Sequence, residues 1–247
     1  NTAVPTFFFI SAILLYRNTD RRYVDLLKQK VSGLFIPYCT WSSILTIFKI
    51  VKGEYEIKGI ISLVIDVLLA ENNSVLWFVR VLFIYILLYS LFRIIIRKKT
   101  ICLLLISIIF LINMKIGPTT GYSSVRYWLP IYIFGAFLGH YFSEYILEPR
   151  HFSSEWQYIV IGLLIIIFVL LGSINDYCLY ICRMVVPFLF WIVADIFASS
   201  KKPQLWMKQS FFYYCTQLLV TSPISKIYIR VFGNGKLSAL LAHIVIP

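Results

Sequence analysis

The sequence predicts an all-α fold, a polytopic transmembrane helical bundle of about eight spans plus the start of another. Three observations predict it. Of the 247 residues, 60% are hydrophobic and 14% charged, against roughly 25% charged in ordinary globular domains, and mean hydropathy is +0.83. Apolar runs recur at the length of about 20 helical residues that a bilayer core about 30 Å thick requires. Stretches such as Tyr158 to Ser173 and Thr100 to Met114 carry no formal charge, and lipid offers their backbone N–H and C=O groups no partner, so only helices satisfy them.

The first span runs from about Ala3 to Tyr16. Arg17, Arg21, Arg22, Lys28 and Lys30 follow it, the densest basic loop, which the positive-inside rule places in the cytoplasm. A second span, Gly33 to Lys49, returns outward, its Pro37 tolerable where neighbours re-satisfy the freed carbonyl. Gly53 to Ser74 is a non-spanning segment. Within it Lys58, Ser62 and Asp66 recur every four residues, so they share one helix face. That piece is read either as a helix lying at the headgroups or as the lining of a substrate cavity.

The third span, Leu76 to Ile96, ends inside at Arg97, Lys98 and Lys99. The fourth is Thr100 to Met114, followed by an external loop, Lys115 to Arg126, with turn chemistry at Gly117 and Pro118. Tyr127 to Ile146 and Tyr158 to Ser173 are the fifth and sixth. The seventh, Cys178 to Ala198, exits at Lys201 and Lys202; the eighth, Phe211 to Val231, leads to the turn Gly233-Asn234-Gly235. This map puts roughly 13 Lys and Arg inside and roughly 8 outside, a bias of the expected sign. Only the acidic loop Glu144 to Glu155 fits it poorly.

The formal charge of +12 sits in short clusters between apolar spans, where membrane topology and anionic headgroups account for it and nucleic-acid binding is excluded. Cys39, Cys102, Cys178, Cys182 and Cys215 stand in apolar surroundings as small buried hydrophobes. Cys178 and Cys182, four apart, lack zinc-type partners nearby, and no metal is expected. Because Asn1 is not an initiator methionine and Leu237 to Pro247 reads as the start of a further helix, residues 1–247 are expected to be a single membrane domain cut at both ends.

Five segments carry a resemblance. Val4-Pro5-Thr6-Phe7-Phe8-Phe9-Ile10-Ser11-Ala12 is similar to the second transmembrane helix of the membrane-bound acyltransferase family 3. Lys28 to Trp41 resembles that family's basic stretch leading into an Ile-Pro-Tyr helix start, and Leu76-Trp77-Phe78-Val79-Arg80 its Leu-Trp-Phe motif. The helix from Leu129-Pro130 to Gly139-His140-Tyr141 resembles its Gly-x-x-x-Gly span. Ser210-Phe211-Phe212-Tyr213-Tyr214-Cys215-Thr216-Gln217 resembles its late Ser-Phe-x-x-Tyr-x-x-His motif.

The resemblance implies a ten-helix domain, of which this chain holds the second helix to the start of the tenth. It also implies acyl transfer from cytoplasmic acyl-CoA, in most cases acetyl-CoA, to a hydroxyl of a cell-surface carbohydrate at the bacterial plasma (inner) membrane. Three departures stand beside it. The family's first helix, with its basic residue and catalytic histidine, falls before Asn1. The paired basic residues before the Ile-Pro step are Lys30 and Gly33 here, and the late histidine is Gln217. A catalytically silent relative, acting as a transporter or as the membrane part of a receptor or racemase, is the alternative these departures keep open.

A sugar hydroxyl attacks a thioester more readily with a base within about 2.6 to 3.2 Å of its proton. His140, His151 and His243 are read as structural, so the base is expected before Asn1 and no catalytic residue is assigned. Arginine inside a span is a functional hypothesis by default. Arg80 and Arg183 both lie near the outer face, where two cations suit the phosphate of a lipid-linked sugar or an oxyanion; for Arg80, about 6 Å deep, snorkelling is the alternative. Trp77 suits a sugar ring or an interfacial anchor. Gln217 can orient a substrate but cannot act as a base. Lys28 and Lys30 suit the phosphates of CoA at the inner face or serve topology alone. Asp195, near the inner exit, is read as structural.

Overall fold

A computed structural model describes residues 3–18, 22–56, 59–69, 76–117, 123–144, 155–172 and 174–197. The predicted eighth span, Gln217, Cys215, His151 and His243 lie outside them. Among the described residues every regular element is helical: α1 (Ala3–Tyr16), α2 (Tyr23–Lys30), a π-helical turn (Val31–Phe35), α3 (Ile36–Val51), α4 (Ile60–Leu69), α5 (Trp77–Leu87), α6 (Tyr89–Ile96), α7 (Lys99–Ile116), α8 (Val125–Tyr141), α9 (Glu155–Gly172) and α10 (Asp176–Phe197). The chain divides into two compact units, one of residues 1–40 and 77–200, the other of residues 41–76 and 201–247.

By length and composition, two helical stretches among the described residues suffice to cross a membrane, Tyr23–Val51 and Lys99–Ile116, and the bent pair α5–α6 makes a third if it is one span. This is fewer than the eight expected. Val4–Tyr16 and Ile159–Gly172 are apolar but shorter than 18 residues. Lipid-like surroundings nonetheless suit α7 and α9, which present Leu104, Ile108 and Leu111, and Leu163, Ile166 and Leu170, as exposed apolar side chains; such a face in water marks an interaction surface.

α1 is the core of the first unit. Phe8, Ala12 and Tyr16 on one stripe, and Phe9 and Ile13 on the next, are at most 1% exposed. Against them lies α8, whose Gly135 and Gly139 admit the α1 backbone: a Cβ at Gly135 would stand 2.6 Å from the Phe9 carbonyl oxygen, and one at Gly139 2.5 Å from that of Ile13. Small residues four apart permit this approach where lipid provides no hydrophobic drive between helices.

Two expectations need correction. The segment Arg17 to Lys30 is not all loop: from Tyr23 it is helix and runs through the π turn into α3. Pro37 explains the turn, since it has no N–H for the Gly33 carbonyl and its ring crowds that oxygen; the helix widens just before it, and Ile36 N–H reaches back five residues to the Val31 carbonyl. The third span is not straight, bending by 64° between Leu87 and Tyr89 with neither Pro nor Gly at the break. The Tyr23 hydroxyl donates to the Leu87 carbonyl at 3.0 Å, and its ring stacks on Tyr89 at 6.3 Å. A side chain inserted in the helical ladder is a recognised cause of kinks.

In the second unit the Ser42 hydroxyl donates to the Val67 carbonyl at 2.7 Å, and the Tyr55 hydroxyl donates to Asp66. Asp66, one member of the polar stripe, therefore ties α4 to its own loop, while Ile60, Ile61 and Val64 are exposed. That pattern is the one a helix lying at the headgroups needs.

Candidate functional site

Two places in the first unit gather chemistry-bearing side chains. One lies where α5, α8 and α10 begin and α7 ends. Pro130 has no N–H to offer the Arg126 carbonyl four residues earlier, and Asn113 of α7 takes that role. Its Nδ2 donates to Arg126 O at 3.2 Å, with Tyr127 O at 3.4 Å, and to the Tyr180 hydroxyl at 2.9 Å; Asn113 is 1% exposed. Arg183, one turn beyond Tyr180, donates Nη1 to the Tyr127 hydroxyl at 2.8 Å.

The Tyr127 ring meets Trp128 edge-on at 4.7 Å, and Trp128 stacks on Trp77 at 6.4 Å. The fold thus joins the predicted Trp77 and Arg183 through Tyr127 and Trp128. Arg80 stands one turn beyond Trp77, within electrostatic reach of Tyr38. All three predicted residues of this end are partly buried.

The second place is a cavity of about 360 Å³ between α1, the α2–π-turn segment and α5. Its polar lining is Ser11, Gln29 and Lys30; its apolar lining is Phe7, Leu14, Leu15, Leu34, Leu82 and Ile86, with Gly33 completing the wall. Phe7 and Leu15 are eight residues apart on α1, so the cavity extends about 12 Å along that helix at 1.5 Å per residue. At its far end Phe7 meets Phe78 edge-on at 5.2 Å, and Phe78 adjoins Trp77. The cavity and the aromatic cluster are therefore neighbours along one face of α1, where Phe8 also stacks on Trp128 at 5.8 Å.

Lys30 is on the cavity wall, whereas Lys28 is exposed on α2. His140 sits in the last turn of α8 beside the Tyr141 ring at 4.7 Å, and the charges that act on it are Arg97 and Arg93. A general base is oriented by a carboxylate or carbonyl; His140 stands among cations instead. Cys182 donates its thiol to the Phe168 carbonyl at 3.2 Å, tying α9 to α10.

Sequence reasoning missed Asn113, Tyr127, Trp128 and Tyr180, and it missed Ser11 and Gln29. A polar amide near the end of an otherwise apolar fourth span, with a helix proline one loop later, was the available signal for Asn113. Nothing in local pattern marks Ser11 or Gln29.

The profile of the acyltransferase domain of family 3 matches residues 1–246. The chain belongs to acyltransferase family 3. No curated protein and no solved structure matches it. Membership gives the reaction class, acyl transfer, and together with the apolar helices it gives the setting, a membrane. Segments that carried the family resemblance, α1, the stretch from Lys28 through the π turn, α5 and α8, contribute to the cavity and the aromatic cluster, together with Asn113 of α7 and Tyr180 and Arg183 of α10.

Proposed function

We propose that this family member moves an acyl group from acyl-CoA to a hydroxyl of a cell-surface carbohydrate or lipid-linked sugar, in the bacterial plasma membrane. The observation that carries the reading is the cavity with Lys30 in its wall, next to the basic stretch Arg17 to Lys30 on the face assigned to the cytoplasm. Lys30, with Lys28 on the same helix, attracts the phosphates of CoA. The thioester arm enters along α1 toward Phe7, and Trp77, Arg80 and Arg183 hold the sugar and its phosphate at the other end. The acceptor oxygen bonds the acyl carbon, the carbon–sulfur bond breaks, and the departing thiolate and the hydroxyl proton leave as free CoA.

The test is acyl transfer from labelled acetyl-CoA in proteoliposomes containing the acceptor. Loss of a charge-assisted contact at a partly exposed site is worth about 1.4 kcal/mol, or tenfold. Lys30→Gln is therefore expected to raise KM for the donor about tenfold with little change in kcat. An unchanged KM would remove Lys30 from the donor site.

A further inference from the structure

The arm that joins the phosphates of CoA to its thioester contains two amides. On the way from Lys30 toward Phe7 it crosses a cavity with six hydrocarbon side chains on its wall, where an amide without a hydrogen bond is costly. The same wall holds two neutral polar side chains, Ser11 of α1 and Gln29 of α2. Thr40, Thr46 and Ser107 each donate to the carbonyl four residues back in their own helix, but the Ser11 hydroxyl makes no such bond. Among the described residues neither it nor the Gln29 amide has a hydrogen-bond partner. Both are open to a ligand in the cavity.

Their places along the cavity match the arm. Phe7, Ser11 and Leu15 follow one another at about 6 Å along α1, at 1.5 Å per residue. The inner amide carbonyl is five bonds from the thioester carbonyl and the outer one four bonds further, which at about 1.2 Å per extended bond makes steps of about 6 Å and about 5 Å. A thioester at Phe7 therefore sets the inner amide level with Ser11, which is partly buried. The outer amide falls level with Leu15, toward the end from which CoA enters, and there Gln29 is exposed and adjoins Lys30.

We infer that the Ser11 hydroxyl and the Gln29 amide hydrogen-bond the two amides of the carrier arm, Ser11 the one nearer the thioester and Gln29 the one nearer the phosphates. This rests on the acyl-CoA reading given above. A hydroxyl can donate to an amide carbonyl or accept from its N–H, and a primary amide can do both at once. The donor is then selected by its arm as well as by the charge that meets Lys30, and its class is the thioesters of pantetheine.

The experiment uses the full chain in proteoliposomes and three donors besides acetyl-CoA: S-acetylpantetheine, and two analogues of it in which the inner or the outer amide is replaced by two methylene groups. Transfer is read as kcat/KM, and binding as displacement of labelled acetyl-CoA by CoA and by the corresponding pantetheine thiols. Loss of a hydrogen bond that leaves an amide unpaired is worth about tenfold in affinity, so Ser11→Ala is expected to lose about tenfold with acetyl-CoA, S-acetylpantetheine and the analogue that keeps the inner amide. With the analogue that lacks the inner amide it should stay within twofold of wild type. Gln29→Leu is expected to show the opposite pattern between the two analogues. No loss in either variant, an equal loss whichever amide is replaced, or the two patterns exchanged would each overturn the inference. Failure of the acyl-transfer reading is seen separately, as no product from any donor in wild type, and the displacement series still decides the roles of Ser11 and Gln29.

Discussion

Arg183 donates Nη1 to the Tyr127 hydroxyl at 2.8 Å, one of the five N–H donors of its guanidinium, and the two side chains come from different helices. The two partners are thus separable by substitution. Tyr127→Phe removes an interhelical bond worth roughly 0.6 to 2 kcal/mol in a membrane bundle; it is expected to lower thermal stability by about that amount and to keep acyl transfer within threefold. Arg183→Gln is expected to lower transfer at least tenfold at equal membrane abundance. Equal losses of transfer in both variants would make Arg183 a strut between α10 and α8 and nothing more. At this scale the sequence made Arg80, Arg183 and Lys30 visible because a cation in or beside an apolar span is costly wherever it lies. Asn113 was not visible in the same way: its role depends on a carbonyl that Pro130 leaves unpaired on a different helix, and only tertiary structure brings the two together.

Helix pairing divides in the same manner. Small residues four apart, Gly135 and Gly139, are a legible sign that α8 packs closely on a neighbour, but that the neighbour is α1 was not legible. Nor was the bend between α5 and α6, since its partner Tyr23 stands 64 residues earlier. A Cβ at Gly139 lies 2.5 Å from the Ile13 carbonyl oxygen and 2.8 Å from its Cα, and backbone cannot swing aside as a side chain can. Overpacking of that kind costs about 1–3 kcal/mol for a single methyl group, and a branched side chain forces the helices apart. Gly139→Ala is expected to lower the unfolding midpoint in detergent and Gly139→Leu to abolish the monodisperse species. Gly162→Leu on α9, where a Cβ meets nothing within 4 Å, should match wild type. Size-exclusion chromatography after a heating series reads all three, and a stable Gly139→Leu protein would contradict the close α1–α8 contact.

Across the first unit, contacts fix the direction of each helix relative to α1. Phe9 faces Gly135 and Ile13 faces Gly139, while Phe7 meets Phe78 and Tyr16 meets Tyr89; Phe9 also meets Phe188. α8 and the α5–α6 pair therefore run parallel to α1, and so does α10, since Tyr180 meets Tyr127 and Phe188 meets Phe134 along α8. The segment entering α3 runs the other way, with Tyr23 at Leu87 and Phe35 at Phe83, as does α7, whose Asn113 meets the start of α8. Cys182 at Phe168 and Leu179 at Gly172 set α9 against α10. This alternation is the one the basic loops demanded; among the described residues two helical stretches, or three with the bent pair, are long enough and apolar enough to span. Packing gives relative direction alone; the side on which each end lies follows from the positive-inside rule. With native cysteines replaced, Ser123→Cys, exposed in the loop before α8, is expected to react with an impermeant maleimide on intact cells. Asp25→Cys, exposed on α2 among the basic residues, is expected to react only after permeabilisation. The reverse pattern would invert the whole bundle and place Lys30 and its cavity on the face that acyl-CoA never reaches.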